Sequence, residues 1–362
     1  MAPQILKLLI FGVRSCSMLQ KNISNGKIYK FTDRLQKLKN KQGTIPVCIE
    51  IHLTMTCQQK CLYCTFKDKE KTNNLDYYVL EKTLTELFQS GCKSILWSGG
   101  GEPTLYRFGE YGLPDVLRMA KRIGFQQGLY TNGETLTTDM MEEIVRDCVF
   151  VRISIDAFTE KIYKKIHNSD GYKNVKKNVK TLLELKTKYN SAIDIGVSYV
   201  FYKENMLDVF NIKMFLQDVQ PTYIYFRPGV YCHSKNFDLR LQKIIIYFIR
   251  YYCLKFRTQL EYSVSKTNRL LKKEERKYKL CYAANLFPTL GSDGGIYVCC
   301  HHIQEQWYKI GDIYMDSIED VFTKWHATED ICGCPPNCRG DILNEDIYYF
   351  MNLLDNSHTD FL

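Results

Sequence analysis

An open (β/α) barrel is the fold class that this sequence predicts, and three observations predict it. Short β-branched runs alternate with longer amphipathic stretches from about residue 46 to residue 229, the pattern of parallel strands joined by helices. Three thiols, Cys57, Cys61 and Cys64, crowd the segment just past the first of these runs. A glycine-rich turn ending in one carboxylate, Gly99, Gly100, Gly101 and Glu102, directly follows the second. Barrels of this kind place functional groups where strands end and loops begin, and both motifs stand there.

The strands are expected over 47–51, 94–97, 127–130, 149–155, 193–201 and 223–226. Six strand-helix units make a partial (β/α)6 barrel, open on one side. Four regions follow: an N-terminal extension packing on the barrel over 1–45, the barrel over 46–235, a helical bridge over 236–280, and a small α+β unit with a C-terminal helix over 281–362. The basic stretch 272–279 reads as part of the bridge.

A chain of 362 residues, 45% hydrophobic and 25% charged, has ordinary globular composition and ample material for a large core. Fifteen cysteines would suit a secreted disulfide framework, but nine of them fall into two sets shaped like metal sites, which predicts a reducing, cytoplasmic setting. The apolar run 5–13 is broken by Lys7 and is far too short to span a membrane, so it reads as a strand or helix packing on the domain, with peripheral membrane contact as the alternative.

Cys57, Cys61 and Cys64 stand three and then two residues apart. A 4Fe-4S cluster normally takes four thiolates, so a compact trio can hold three irons and leave the fourth open to another ligand. The same residues also suit tetrahedral zinc, with His52 as a nearby fourth ligand. At the turn, glycines let the backbone approach a ligand closely, and the Glu102 carboxylate can accept from an ammonium group.

The trio, with Tyr63 just before its last cysteine, resembles the signature loop of the radical S-adenosylmethionine (SAM) enzymes. The turn resembles that family's Gly-Gly-Glu motif. The resemblance implies that SAM chelates the open iron, that Gly100, Gly101 and Glu102 receive its methionyl amine, and that the cluster's electron cleaves it to a 5'-deoxyadenosyl radical. It also implies pocket roles for Asn132 after the third strand, for Ser154 and Asp156 on the fourth, and for Ser198 on the fifth. Alternation along a strand would put Ser154 and Asp156 on one face. Arg227, ending the sixth strand, is a candidate for substrate or for the SAM carboxylate, with a structural ion pair as its alternative.

A second cysteine set begins at Cys281. The turn Ser292, Asp293, Gly294 and Gly295 reads as a hairpin that brings Cys281 near Cys299 or Cys300. A short strand near residues 310–313 and a capped helix over about 316–321 come next, followed by Cys332, Cys334 and Cys338 in a proline-stiffened loop. This arrangement resembles the C-terminal SPASM or twitch extension of radical SAM enzymes. It implies one auxiliary 4Fe-4S cluster on Cys281, Cys299, Cys334 and Cys338, with Cys300 and Cys332 as rivals and a four-cysteine zinc site as the alternative.

The expected function is reductive cleavage of SAM and abstraction of a hydrogen atom from an unactivated carbon of a peptide or small molecule. The auxiliary cluster would assist oxidation or substrate binding, and flavodoxin or ferredoxin would supply the electron. A nucleotide or nucleic acid is the alternative substrate, and a non-catalytic metal-binding or electron-transfer protein is the alternative of another class. Net charge +9 raises nucleic acid, but the lysines crowding 161–188 fall at helical spacing and read as a solvated outer face. The roughly 45 residues ahead of the barrel are fewer than a separate peptide-recognition domain needs. Cys232 and Cys253 read as buried thiols, either able to return a hydrogen atom to a substrate radical if the reaction is an epimerisation.

Overall fold

The computed structural model describes residues 27–71, 74–229, 239–262, 275–325, 334–335 and 338–353. The apolar run 5–13, Cys232 and Cys332 lie outside them.

The expected strands form β1 (Cys48–His52), β2 (Ser94–Ser98), β5 (Gln126–Thr131), β6 (Cys148–Ser154), β7 (Asp194–Phe201) and β8 (Tyr223–Pro228). They pair in that order, all parallel. A small separate hairpin, β3 (Arg107–Phe108) with β4 (Tyr111–Gly112), follows the glycine turn. Helices return the chain: α2 (Tyr77–Gln89), α3 (Leu113–Ile123), α4 (Thr138–Asp147), α5 (Glu160–His167), α6 (Tyr172–Lys188) and α7 (Ile212–Asp218), after α1 (Thr32–Lys39) at the start. Their ends are written locally. Asp76 caps α2 through two main-chain N–H groups, and Gly124 ends α3 at φ +119°, a left-handed position that favours glycine.

Along each strand, alternate residues separate two environments. Ile49, Ile51, Val151, Ile153, Ile195, Val197, Ile224 and Phe226 join one apolar core with residues of the helices. The opposite face carries polar and aromatic groups. On it Arg152 donates to the hydroxyls of Tyr130 (β5) and Tyr223 (β8), both at 3.1 Å, and stands over the Tyr225 ring.

The sheet does not stop at six strands. The region expected to be a helical bridge contains α8 (Leu239–Lys255) and then β9 (Gln259–Tyr262), which pairs in parallel with β8. At the other side, β10 (Thr289–Leu290) pairs in parallel with β1 and continues antiparallel into β11 (Gly295–Tyr297) and β12 (Lys309–Asp312). The C-terminal unit is therefore hydrogen-bonded onto the barrel's first strand. Among the described residues, a single sheet of ten strands results, with β9 and β12 at its edges. Residues 275–280 form no helix. Arg276 and Tyr278 pin this stretch to Asp341 at the start of the last helix, α11 (Asp341–Leu353), which follows α9 (Ala283–Leu286) and α10 (Ile318–Lys324).

The described part of the N-terminal extension packs chiefly on the C-terminal unit. Ile28, Leu35 and Leu38 share a second core with Leu286 and Ile347. Arg34 anchors it further by donating to the carbonyls of Ile45 and Gly91, each at 2.6 Å. The lysines of α5 and α6 lie on the outer face as expected, and Lys176 and Lys180 both pair with Asp218. Cys253 is buried in the main core on α8, where burial pushes its thiol up to about 12.

Candidate functional site

The cysteine loop leaves the C-terminal end of β1 and runs beside the turn that leaves β2. Gly101 N–H donates to the Thr54 carbonyl at 3.1 Å and Glu102 N–H to the Thr56 carbonyl at 2.8 Å, so partners 47 and 46 residues apart in the chain are zipped together. Only glycine fits here. A Cβ on Gly101 would meet the Thr56 carbonyl oxygen at 2.3 Å, and one on Gly100 would meet the Met55 sulfur at 2.1 Å.

Glu102 is buried, and its carboxylate organises the surrounding loops. Oε1 accepts from Thr104 N–H at 3.1 Å, from the Thr104 hydroxyl at 2.9 Å and from the Thr131 hydroxyl at 2.5 Å, while Oε2 accepts from Asn132 N–H at 2.7 Å. Burial raises its pKa against these donors. Oε2 keeps lone-pair capacity that the chain does not use. Asn132 continues the line, its Nδ2 lying 3.9 Å from the Cys57 sulfur and 3.3 Å from Gln58 Oε1.

The three thiols are half-buried, with Cys57 and Cys64 acting electrostatically on Cys61 and Cys64 on Cys57, and among the described residues no three His, Cys, Asp or Glu side chains are gathered as around a metal ion. Burial raises the thiols of Cys57 and Cys61, so the metal-free loop favours the protonated form, and a bound metal would remove those protons. The loop supplies main-chain donors to sulfur, including Phe66 N–H to Cys64 at 3.4 Å. Three thiols on one loop with amide donors suit an iron-sulfur cluster. The zinc alternative loses its nearby fourth ligand. His52 is fully buried, accepts from Gly100 N–H at 3.1 Å through Nδ1, and faces Glu50 at 3.3 Å through Nε2.

His167, at the last position of α5, was not singled out by sequence. Its Nδ1 lies 3.3 Å from the Cys61 sulfur and 3.1 Å from Gln59 Oε1, and its Nε2 lies 3.0 Å from the Ile155 carbonyl. Gln59 in turn donates to Glu134 at 2.7 Å and Tyr163 at 2.9 Å. Carbonyls at the end of α5 accept from the N–H groups of Lys60 and Leu62, so this helix holds the cysteine loop from beneath.

The strand alternation expected to place Ser154 and Asp156 on one face does not reach Asp156. The strand ends at Ser154, and Asp156 takes φ +50°, a left-handed conformation that turns its side chain to accept from Val200 N–H at 2.7 Å beside His167. Ser198 is buried, and its carbonyl receives the N–H groups of both Ile155 and Asp156. Tyr63 stacks on Tyr202, ring centroids 3.4 Å apart, at the end of β7. Arg227 ends β8 with one long hydrogen bond, to the Pro228 carbonyl at 3.5 Å, and lies within electrostatic reach of Asp156.

The β10–β11 hairpin turns through Gly294 at φ +82°. Cys281 and Cys338 act electrostatically on both Cys299 and Cys334, and Cys300 also acts on Cys299. Asn344 Nδ2 lies 3.5 Å from the Cys281 sulfur, and Gly340 N–H donates to Cys338 at 3.3 Å. Cys300 lies within electrostatic reach of Arg339, Glu50 and Cys338, and burial pushes its thiol up to about 12.

Residues 51–211 match the family described as the radical SAM superfamily. The chain carries a radical SAM domain. A tungsten-containing aldehyde ferredoxin oxidoreductase cofactor-modifying protein of Pyrococcus furiosus is 32% identical over 165 residues, 43% of this chain and 44% of its own length. A probable GTP 3',8-cyclase of Saccharolobus islandicus is 23% identical over 167 residues, 45% of this chain and 50% of its own. The chain thus spans about half the length of these curated relatives. The crystal structure of Streptococcus suis SuiB bound to S-adenosylmethionine superposes with a TM-score of 0.62 at 15% identity, covering 91% of this chain and 78% of SuiB. That likeness shows that the fold is shared beyond the matched residues, over 91% of this chain. Among the described residues, no helix is long and apolar enough to cross a membrane.

Proposed function

We propose that this radical SAM enzyme cleaves SAM reductively at a 4Fe-4S cluster held by Cys57, Cys61 and Cys64 and abstracts a hydrogen atom from an unactivated carbon of a small-molecule or peptide substrate. The observation that carries this reading is the pair of hydrogen bonds zipping the cysteine loop to the Gly100, Gly101 and Glu102 turn. They bring three thiols and an amine-accepting turn to the same end of the parallel sheet.

A cluster held by Cys57, Cys61 and Cys64 would supply the one electron that breaks a carbon-sulfur bond of SAM, giving methionine and the radical that takes the hydrogen. The chain's own part is to bind and to shield. Main-chain groups of Gly100 and Gly101, with Glu102 Oε2, accept the methionyl ammonium. Asn132, Ser154, Asp156 and Ser198 form the polar wall, with Asp156 acting mainly by holding Val200 and His167 in place. Tyr63 offers its ring to the adenine side, and its stack on Tyr202 fixes that ring's plane.

Cys281, Cys299, Cys334 and Cys338 hold one auxiliary 4Fe-4S cluster, a reading supported by the electrostatic action of Cys281 and Cys338 on both Cys299 and Cys334, with Cys300, which also acts on Cys299, as the rival ligand. An auxiliary cluster suits a net oxidation, with flavodoxin or ferredoxin as the one-electron partner in a reducing, cytoplasmic setting. The name of the Saccharolobus relative favours a nucleotide as the second substrate reading. Formation of 5'-deoxyadenosine by the anaerobically reconstituted, reduced protein tests the reading. A fully loaded protein that leaves SAM intact refutes it.

A further inference from the structure

Two loops of this chain each start from a thiol of one cysteine set and meet side by side. Lys69 and Glu70 stand five and six residues past Cys64, and Gln304 and Glu305 five and six past Cys299. The side-chain amide of Gln304 grips the Glu70 main chain twice, accepting from its N–H at 2.9 Å and donating to its carbonyl at 3.0 Å. Lys69 Nζ reaches Glu305 Oε1 at 2.7 Å. Gln304 takes φ +63°, a left-handed conformation that persists in a residue with a side chain where its surroundings hold it.

A small apolar core joins the same two loops. Met55, Tyr297 and Ile303 are buried together, and Phe66 packs against them. Met55 and Phe66 bracket Cys57, Cys61 and Cys64 in the chain, while Tyr297 and Ile303 bracket Cys299 and Cys300. The Met55 sulfur lies 2.1 Å from where a Cβ on Gly100 would fall, so this core abuts the turn proposed to take the methionyl ammonium. Both loops are stiffened from within. Phe66 N–H donates to the Cys64 sulfur at 3.4 Å and Lys69 N–H to the Phe66 carbonyl at 3.2 Å. On the other loop His302 N–H donates to the Cys299 carbonyl and Glu305 N–H to the His302 carbonyl, both at 3.2 Å. The Glu305 carboxylate also holds His302 at 2.8 Å, and His302 stacks on Tyr308.

We propose that Gln304 and Glu305 are positioning residues through which the C-terminal thiol site sets the SAM affinity of the cysteine loop. Packed interiors are stiff and transmit a displacement to their neighbours. Fixing Cys299 by a bound metal therefore fixes Ile303, Gln304 and Glu305, and these hold Met55 against Gly100 and the Lys69–Glu70 stretch against the thiols. Coupling of this kind is reciprocal, so bound SAM favours the filled C-terminal site in turn. The inference rests on the proposed function for its ligand and goes beyond it, giving the C-terminal unit a part in SAM binding that needs no electron transfer.

The experiment measures SAM binding to the anaerobically reconstituted full chain by calorimetry and closes a double-mutant cycle. Gln304→Ala with Glu305→Ala cuts the three polar ties. Cys334→Ala empties the C-terminal site, which an iron count falling from about eight to about four per chain verifies. Each change alone is expected to weaken SAM binding about tenfold, and the combination about tenfold as well, because emptying the site costs nothing more once the ties are cut. The strap variant is expected to keep about eight irons. Losses that multiply to about a hundredfold overturn the coupling and mark two independent structural effects. Unchanged SAM affinity in the strap variant overturns it too. The cycle is run a second time with Cys338→Ala as the emptying change, so a variant that does not fold leaves the other cycle to be read. SAM binding with multiplying losses removes the coupling alone, whereas a fully loaded wild type that binds no SAM removes the proposed function and the coupling with it.

Discussion

Glu50 and Arg339, 289 residues apart in the chain, form an ion pair that ties the first barrel strand to the loop carrying Cys338. Glu50 also faces His52, whose other nitrogen accepts from Gly100. One continuous polar line therefore runs from the C-terminal cysteine set to the turn beside the proposed SAM site. Glu50→Gln breaks it and leaves a half-buried guanidinium uncompensated. The expected cost is about 2–4 kcal/mol, the lower part of the range for a buried pair because Arg339 keeps some contact with solvent. Chemical denaturation of the metal-free protein at neutral pH measures it.

The same carboxylate predicts a pH dependence. Burial alone would raise the Glu50 pKa, but Arg339 and His52 hold it well below the usual range. A carboxylate depressed by folding contributes stability that is fully present above its unfolded pKa, about 4.3, and is lost as pH falls through the folded value. The stability gap between wild type and Glu50→Gln is therefore expected to hold from pH 7 down to about pH 4 and to narrow below it. Denaturation midpoints across that range test this, and a gap that closes between pH 7 and pH 5 contradicts it.

Gly101→Ala forces a Cβ against the Thr56 carbonyl, which is main chain and cannot swing aside. SAM affinity is expected to fall at least about a hundredfold, roughly 2.7 kcal/mol, with iron content retained. Gly100→Ala meets the flexible end of Met55 and is expected to cost less. Equilibrium binding of SAM to the two variants ranks them.

The auxiliary ligands separate by iron count. Two 4Fe-4S clusters give about eight irons per chain, so alanine at Cys281, Cys299, Cys334 or Cys338 is expected to leave about four. Cys300→Ala is expected to keep about eight. Iron analysis beside the Mössbauer spectrum checks both.

His167→Leu removes the polar neighbour of the Cys61 sulfur. Hydrogen bonding around cluster sulfurs tunes potential, so the reduced cluster's EPR signal and midpoint potential are expected to shift while iron content holds. An unchanged signal contradicts a role for His167 at the cluster.

The six barrel strands and both loop motifs were legible because each is a local pattern: apolar alternation, cysteine spacing, glycines at a strand end. What was missed is non-local. The contact of His167 with Cys61 spans 106 residues and the Glu50 pair 289, and no periodicity announces either. A faint signal existed in β1, where Glu50 and His52 alternate with Ile49 and Ile51. A charged residue in a strand buried on both faces needs a partner. Strand β9 was missed because four residues, Gln259 to Tyr262, are too few to read as a run. The left-handed conformation of Asp156, just past the end of β6, was not legible because strand alternation says nothing of the residues beyond it.

The most direct test of the central claim replaces Cys57, Cys61 and Cys64 together with alanine and compares this variant with the wild type after anaerobic reconstitution, reduction and addition of SAM. The wild type is expected to release 5'-deoxyadenosine, and the triple variant to release none while keeping the roughly four irons of the auxiliary cluster. Deoxyadenosine from the triple variant, or none from a wild type with its full iron, would contradict the assignment of SAM cleavage to this loop.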